Sequence, residues 1–342
     1  MPFLAQAATF GSLSVVGMAK NTGKTETLNY LLERLRSMPQ HTIAVTSIGI
    51  DGENTDQVTR TPKPEITLSE GTLFVTAESD YLHRRLVSEI LDISNATTSL
   101  GRLVTARVLQ RGKVQLSGPA DTATLKEYID FLPSFGINQT IVDGALSRLS
   151  LASPAITDAM ILATGAALSA NANRLIKQTL HVCSLINTPT LESQPLCSLL
   201  SPLNNGLWAI NEQNNPINLN IASTLLAANH TDQLFRYGNK FYTAGSVGDA
   251  FLNLIAANRK NQNCLLVVRD FTKLFLSPEV LQTFYKRGGK IRVLKQPRLI
   301  ALTVNPTSPE GYRLDSDYLC QVLHEQLNLP VFDVRKLKAT AK

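Results

Sequence analysis

Cysteine is scarce, with four residues widely spaced along 342. Without a C-x-x-C pair, the sequence carries neither a zinc knuckle nor a thioredoxin-type redox motif. The five histidines show no metal-ligand spacing. No run of about 18 apolar residues is present, so we expect no membrane span, and the first residues lack the basic segment of a signal peptide. We therefore expect a cytoplasmic protein with reduced thiols.

Charge of one sign is not concentrated in any long tract. The net charge is +6, and the basic residues are scattered except for a small cluster near the carboxyl end: Arg335, Lys336, Lys338 and Lys342. This distribution indicates a mildly basic protein, and we expect no nucleic-acid or membrane partner. Hydrophobic residues make up 44% of the chain, which is enough for sizeable cores, and the length predicts two domains.

The most informative motif lies in residues 15–25. An apolar run leads into a loop that ends in Gly23-Lys24-Thr25, and leucines at helical spacing follow at once. Strand, loop and helix in this order are typical of a P-loop, or Walker A motif. The match to G-x-x-x-x-G-K-[ST] is incomplete, because Met18 stands at its first position and Gly17 comes one residue early. The alternative is a chance Gly-Lys-Thr at a helix start.

In a P-loop, backbone N–H groups and the helix N-terminus stabilise phosphate oxygens. Lys24 would reach the β- and γ-phosphates, and the Thr25 hydroxyl would bind Mg²⁺. The predicted nucleotide-binding residues are Gly17, Asn21, Thr22, Gly23, Lys24, Thr25 and Glu26. Lys20 is either a second catalytic cation on the phosphates, supplied within one chain or across a homodimer, or an exposed loop lysine.

Two aspartates directly follow predicted strands, and such strand ends are where parallel sheets bind ligands. Asp143 resembles a Walker B aspartate and is predicted, with Thr25, to hold Mg²⁺ directly or through water. Asp51 either shares the metal or orients the attacking water, with Glu53 as the reserve candidate. The alternative for both aspartates is a helix cap or a turn. Arg148 is more simply explained as a surface residue than as a contact of the nucleotide or of a partner.

Strands alternating with helices predict an α/β fold: a P-loop NTPase with a mostly parallel, doubly wound sheet, followed by a second, smaller α/β domain. The predicted domains are a nucleotide-binding domain over 1–190, a connecting region over 191–235 and the second domain over 236–342. Locally, residues 79–91 are predicted as a helix. Residues 103–108 and 113–116 are predicted as a hairpin that turns at Arg111 and Gly112.

The loop of residues 17–25 resembles the phosphate loop of dethiobiotin synthetases, where a glycine also sits one place early. Asp51 and Asp143 fall where those enzymes keep their metal-binding acids. Their substrate residues are not recognisable here, so the ligase activity is not carried over. In the signal-recognition and nitrogenase-like class, a lysine early in the loop works across a dimer, and Lys20 is one place later than in that signature.

Six segments together resemble the ATPase encoded beside lysine 5,6-aminomutase in amino-acid-fermenting bacteria: residues 19–25, 46–53, 61–64, 116–119, 141–148 and 161–166. That family is regarded as one subunit of a reactivase that works with a MutS-like partner. The resemblance implies ATP-driven exchange of damaged cobalamin for fresh adenosylcobalamin on the mutase.

Three functions remain open on the sequence. The first is a Mg-dependent ATPase that acts as a reactivating chaperone for the aminomutase. The second is a dethiobiotin-synthetase-like enzyme that phosphorylates a small carboxylate or amine. The third is a binding module that holds nucleotide without turnover. Because no Asn-Lys-x-Asp guanine-recognition run is visible, ATP is favoured over GTP.

Overall fold

The computed structural model describes residues 2–38, 41–47, 66–119, 121–145, 156–257, 263–333 and 335–336. Within these ranges the α-helices are α1 (Pro2–Ala7), α2 (Lys24–Arg36), α3 (Glu78–Leu82), α4 (Thr122–Phe131), α5 (Ala172–Ile186), α6 (Gln194–Leu200), α7 (Thr231–Leu234), α8 (Asp249–Ala257), α9 (Pro278–Lys286) and α10 (Ser316–Leu327). None of these described helices is long and apolar enough to cross a membrane.

The strands follow the same chain order. They are β1 (Ser12–Gly17), β2 (Ile43–Ser47), β3 (Ile66–Leu68), β4 (Leu73–Ala77), β5 (Arg85–Thr98), β6 (Gly101–Val114), β7 (Gln139–Ala145), β8 (Ala159–Gly165), β9 (Leu207–Ile210), β10 (Pro216–Ile221), β11 (Lys240–Thr243), β12 (Val247–Gly248), β13 (Leu265–Val268), β14 (Leu274–Phe275), β15 (Lys290–Val293), β16 (Arg298–Asn305) and β17 (Val331–Asp333). The chain is therefore a mixed α/β protein.

The chain divides into two compact units. The first contains residues 1–180 and 298–342, and the second contains residues 181–297. This division differs from the predicted domains, which placed residues 236–342 together and treated 191–235 as a connection. The physical reason is strand pairing: β16 pairs in parallel with β8, and β17 with β16, so both return to the first sheet. The predicted connection instead contributes α6, β9 and β10 to the second unit.

The first unit is built on a ten-stranded sheet with the order β17-β16-β8-β1-β7-β2-β4-β6-β3, in which β5 also pairs with β6. Pairing is parallel from β17 through β4. Only β6 pairs antiparallel in this sheet, with β3, β4 and β5, so the described sheet is mostly parallel. The predicted mostly parallel central sheet is thus confirmed.

Helices cover both faces of this sheet. Leu28 and Leu31 of α2 belong to one buried cluster with Ile141 of β7. Leu125 of α4 belongs to another cluster with Val142 of β7. Successive residues of a strand point to opposite faces, so α2 and α4 pack on opposite sides of β7. Each burial of a leucine side chain of this kind stabilises the fold by about 1.5–3 kcal/mol.

Two local predictions were wrong at the antiparallel end of the sheet. The helix predicted over 79–91 is the short α3 followed by the long strand β5, and the predicted hairpin over 103–116 is the single strand β6. A Cβ at Gly112 would collide with the Arg85 carbonyl oxygen of β5. The glycine therefore permits close approach of the neighbouring strand instead of making a turn.

The second unit has a five-stranded sheet in the order β10-β9-β11-β13-β15, with β11, β13 and β15 parallel and β9 antiparallel to its neighbours. Phe251 of α8 and Phe284 of α9 are buried in one cluster with Leu266 and Val268 of β13. A short parallel pair, β12 and β14, lies outside that sheet.

Candidate functional site

The loop between β1 and α2 leaves the carboxyl end of a fully buried strand. Every residue of β1 is buried, and its neighbours on both sides, β7 and β8, are parallel to it. Met18 continues the contact with β8, because its N–H donates to the Ala163 carbonyl oxygen at 2.9 Å. The loop therefore begins in the middle of the sheet, where the carboxyl ends of parallel strands form a ligand-binding edge.

The loop closes tightly over Gly17. A Cβ at that position would lie 3.0 Å from the Thr22 hydroxyl oxygen and 3.3 Å from the Ala19 carbonyl oxygen. The Thr22 hydroxyl itself donates to the Ala19 carbonyl at 2.9 Å. A glycine one place earlier than in the usual motif thus has a physical reason, since a side chain there would press against the returning loop.

Two left-handed residues bring the loop into α2. Asn21 has φ 61° and Gly23 has φ 89°. Gly23 is the N-cap of α2, and its carbonyl oxygen accepts hydrogen bonds from the N–H and the hydroxyl of Thr27 at 2.9 and 3.1 Å. The helix thus begins at Lys24, and its first N–H groups face the loop without a side-chain cap.

Lys24 meets Asp143 across 119 positions of sequence. The Lys24 ammonium nitrogen lies 3.1 Å from both carboxylate oxygens, and it donates a hydrogen bond to Oδ2. The two side chains are 25% and 16% exposed, so the pair is only partly screened by water. Of the predicted site residues that the structure describes, these two are brought together by the fold from distant parts of the chain.

The two oxygens of the Asp143 carboxylate differ in their contacts. Oδ2 accepts the Lys24 hydrogen bond, whereas Oδ1 is buried, accepts no hydrogen bond from the described residues and faces the same ammonium at 3.1 Å. A buried carboxylate oxygen that is held only by this ion pair can accept a metal cation or its bound water when the ammonium moves away. No group of three or more His, Cys, Asp or Glu able to hold a metal occurs within the described residues. Mg²⁺ needs only one or two carboxylates, so Asp143 fits it.

The other predicted site residues differ in how exposed they are, and some lie outside the described ranges. Thr25 and Glu26 are half-buried in the first turn of α2, while Lys20 is exposed in the loop. Asp51, Glu53 and Arg148 lie outside the described residues.

Two residues of β16 were missed by the sequence analysis. The Thr303 and Thr27 hydroxyl oxygens are 2.8 Å apart in a buried contact between β16 and α2. Asn305 ends β16, and its amide nitrogen donates to the Asn21 carbonyl oxygen at 2.9 Å. The available signal for Asn305 was a polar residue at the end of an apolar run, as for Asp143. This signal was overlooked because β16 falls in residues 236–342, which were predicted to form a separate domain.

Two further motif segments reach the same edge of the sheet. The Ser117 carbonyl oxygen accepts a hydrogen bond from the Ala77 N–H at the end of β4, at 2.7 Å. A Cβ at Gly118 would collide with the Ser47 carbonyl oxygen at the end of β2. The segment of residues 116–119 therefore packs on two strand ends, while residues 161–165 belong to β8.

No protein-family model matches the chain, and no curated protein sequence matches it. The resemblance drawn from the six motif segments therefore stays a prediction.

Proposed function

We propose that this chain is a P-loop nucleotide-binding protein with Mg-dependent ATPase activity. The observation that carries the proposal is the contact of Lys24, at the loop–helix junction, with Asp143, which lies on the neighbouring strand β7 near its carboxyl end. A cation for phosphate and a carboxylate for the metal then lie side by side at the carboxyl edge of a parallel sheet. The tight turn over Gly17 supports the same assignment.

Each residue has a defined role in this proposal. The loop N–H groups and the N-terminus of α2 hold the phosphates, and Lys24 neutralises them. Thr25 and Asp143 would hold Mg²⁺, which when bound neutralises charge that develops on the phosphates. Asp51 shares the metal or orients water, with Glu53 in reserve. Lys20 acts as a second cation, within the chain or across a homodimer.

The Lys24–Asp143 pair makes the site selective for the complete Mg-nucleotide. A phosphate alone competes with the Asp143 carboxylate for the lysine, and a cation alone competes with Lys24 for the carboxylate. The Mg-nucleotide brings both charges, so each member of the separated pair gains a new partner. Affinity should therefore depend strongly on having metal and nucleotide together.

The wider role proposed is that of a reactivating chaperone for an adenosylcobalamin-dependent lysine 5,6-aminomutase, working with a MutS-like partner to exchange damaged cobalamin. The motif segments support it, since residues 19–25, 116–119 and 161–166 lie along the same edge of the sheet. The second candidate is phosphorylation of a small carboxylate or amine. The early glycine, shared with dethiobiotin synthetases, favours that candidate.

The test is phosphate release by the purified protein with Mg-ATP. Turnover that rises when the aminomutase and its MutS-like partner are added would support the chaperone. Turnover that rises instead with a small carboxylate or amine would favour the kinase-like enzyme. Tight nucleotide binding without release under any condition would leave a binding module.

Lys24→Ala should abolish turnover and weaken nucleotide binding at least tenfold, or about 1.4 kcal/mol. Lys126→Ala is the matched control, because Lys126 also pairs with an aspartate, Asp130 at 2.7 Å, but on an exposed helix surface. Normal hydrolysis by Lys24→Ala would refute the site assignment.

A further inference from the structure

Asn305 is the last residue of β16, and its side chain contacts the loop of residues 18–23. Its amide nitrogen donates to the Asn21 carbonyl oxygen at 2.9 Å, and its amide oxygen accepts from the Thr307 N–H at 3.2 Å. The residue is 9% exposed, so both hydrogen bonds are largely shielded from water. One side chain thus joins the end of a strand, the turn after it and the loop.

Two glycines leave the space that Asn305 occupies. A Cβ at Gly23 would lie 2.9 Å from the Asn305 Cβ, which is closer than such atoms approach. A Cβ at Gly165, the register partner of Asn305 on β8, would collide with the Asn305 carbonyl oxygen. The loop, β8 and β16 are therefore in close contact around this one residue.

The loop gains from support outside itself. Gly23 adopts its left-handed conformation without strain, but Asn21 is a left-handed residue with a side chain, and such a conformation persists when surrounding contacts hold it. The Asn305 amide donates its hydrogen bond to the carbonyl of Asn21. This carbonyl lies in the turn that sets the direction of the backbone N–H groups that follow it in the loop. Those N–H groups are the ones proposed to bind phosphate. Holding this carbonyl therefore fixes their direction before any ligand arrives, which reduces the ordering cost of binding.

We propose that Asn305 is a positioning residue of the nucleotide site, which holds the phosphate loop in its binding conformation from a strand that follows the inserted second unit. The inference rests on the proposed nucleotide function. It assigns to β16 a part in the site that no loop motif indicates. Asn305 acts through the loop backbone and need not touch the nucleotide.

The experiment measures binding of a fluorescent ATP analogue with Mg²⁺ to the full chain. Asn305→Ala keeps the Cβ that packs on Gly23 and removes both amide hydrogen bonds, and we expect about a tenfold loss of affinity. Asn305→Asp keeps the acceptor for Thr307 but removes the donor to Asn21, and should lose at least as much. Asn305→Ser, with a shorter donor, should recover part of the loss.

Asn29→Ala is the matched control. Asn29 is also an asparagine whose side chain bonds one backbone group outside its own element, since it accepts from the Thr67 N–H at 3.2 Å. It lies on α2, and no hydrogen bond among the described residues joins its side chain to the loop. An equal loss of affinity in Asn29→Ala would assign the effect to general stability and overturn the proposal.

Hydrogen exchange of the loop amides in the nucleotide-free protein separates this inference from the proposed function. Asn305→Ala should speed exchange at residues 19–24 several-fold and leave β1 and β7 protected. If the wild-type chain binds no nucleotide, the proposed function fails, and this measurement still tests the contact. If the wild type binds nucleotide and the Asn305 variants bind equally well with unchanged exchange, the positioning role is refuted. Should Asn305→Ala not fold, Asn305→Asp carries the same test.

Discussion

The Lys24 ammonium nitrogen lies 3.1 Å from both carboxylate oxygens of Asp143, and this contact joins the start of α2 to the carboxyl-terminal part of β7. Parallel pairing in the centre of the sheet makes the contact possible, because β1 and β7 are adjacent and Val15 is in register with Asp143. In this ion pair the Lys24 ammonium occupies the proposed metal position beside Asp143, and the Asp143 carboxylate occupies the proposed phosphate position beside Lys24. The pair should therefore separate when a Mg-nucleotide binds.

Replacing Asp143 with the isosteric, neutral asparagine should therefore have opposite effects with and without metal. In the absence of Mg²⁺, Asp143→Asn should bind ATP several-fold more tightly, because Lys24 no longer has a carboxylate partner. With Mg²⁺, turnover should fall at least tenfold, because a metal ligand has lost its charge. Isothermal titration calorimetry and a phosphate-release assay measure the two effects.

The control is Asp130→Asn, which removes the charge of the aspartate in the exposed Lys126–Asp130 pair and should change neither ATP binding nor turnover. Undiminished Mg-dependent turnover in Asp143→Asn would contradict the metal assignment.

The buried Thr27–Thr303 contact predicts non-additive stability. Since Thr27 donates its hydroxyl proton to the Gly23 carbonyl, Thr303 must donate to Thr27. Thr27→Val leaves the Thr303 hydroxyl buried without this partner, at a cost of about 1–3 kcal/mol. Adding Thr303→Val removes the stranded group, so the double variant should be more stable than the sum of the single losses predicts, by about 0.5–3 kcal/mol.

Urea unfolding of the two single variants and the double variant measures that coupling. The control pair is Thr27→Val with Thr76→Val, because the Thr76 hydroxyl bonds residues of another segment, the Gln115 carbonyl and the Ser117 N–H. These two losses should add. Additive losses for Thr27 and Thr303 would mean that β16 does not pack on α2 as described.

Much of the local structure could be predicted from the sequence. The strand–loop–helix unit at residues 12–36 and the helix at Pro278–Lys286 follow from apolar spacing and from glycine and proline signals. Asp143 could be singled out because an acid directly after an apolar run is an uncommon and chemically meaningful combination, although the structure places it within β7 and not after it. The spacing of apolar residues over a short window is enough to predict these helices and strands. The contacts that stabilise them are either local in sequence or made by one buried face of the element.

The pairing of distant strands could not be predicted in this way. Residues 299–304 are predicted as a mostly apolar strand whichever sheet they join. Their sequence does not indicate that β16 pairs with β8, which precedes the inserted second unit. Asn305 was missed for the same reason, since its importance comes from Asn21 and Gly165, which are far away in sequence. The β5–β6 error has a different cause: Gly112 is typical of a turn, but here it relieves crowding between two paired strands.

The strand order predicts that a chain ending at residue 190 will not fold as the full chain does. The β8 residues Ile161 and Leu162 are fully buried and pair with β16. Without β16 their sheet edge is unpaired, which favours aggregation. Size-exclusion chromatography and thermal unfolding should show an aggregated or non-cooperative fragment. A monomeric fragment that unfolds cooperatively near the temperature of the full chain would support the originally predicted boundary.

Asp121 gives a pH-dependent test at the start of α4. One carboxylate oxygen accepts from the N–H groups of Ala123 and Thr124, both at 2.9 Å, and the other accepts from the Thr124 hydroxyl at 2.8 Å. The Thr124 backbone bond is the largest cause of a lowered pKa for the Asp121 carboxyl, followed by the Thr124 hydroxyl; slight desolvation opposes them, and the Ala123 bond adds a smaller lowering. Removing this cap with Asp121→Ala should cost about 0.5–2 kcal/mol at pH 7.

Because the folded pKa lies below the unfolded value, the carboxylate's contribution is complete above the unfolded pKa and is lost as pH falls through the folded pKa. The stability difference between wild type and Asp121→Ala should therefore shrink as the pH is lowered below about 4, the ordinary aspartate range. Asp121→Asn caps the helix without a titrating charge, so its difference from Asp121→Ala should stay nearly constant with pH. Urea unfolding of all three proteins at pH 7, 4 and 3 measures this. A wild-type difference that does not change over that range would show that the carboxylate hydrogen bonds do not stabilise α4.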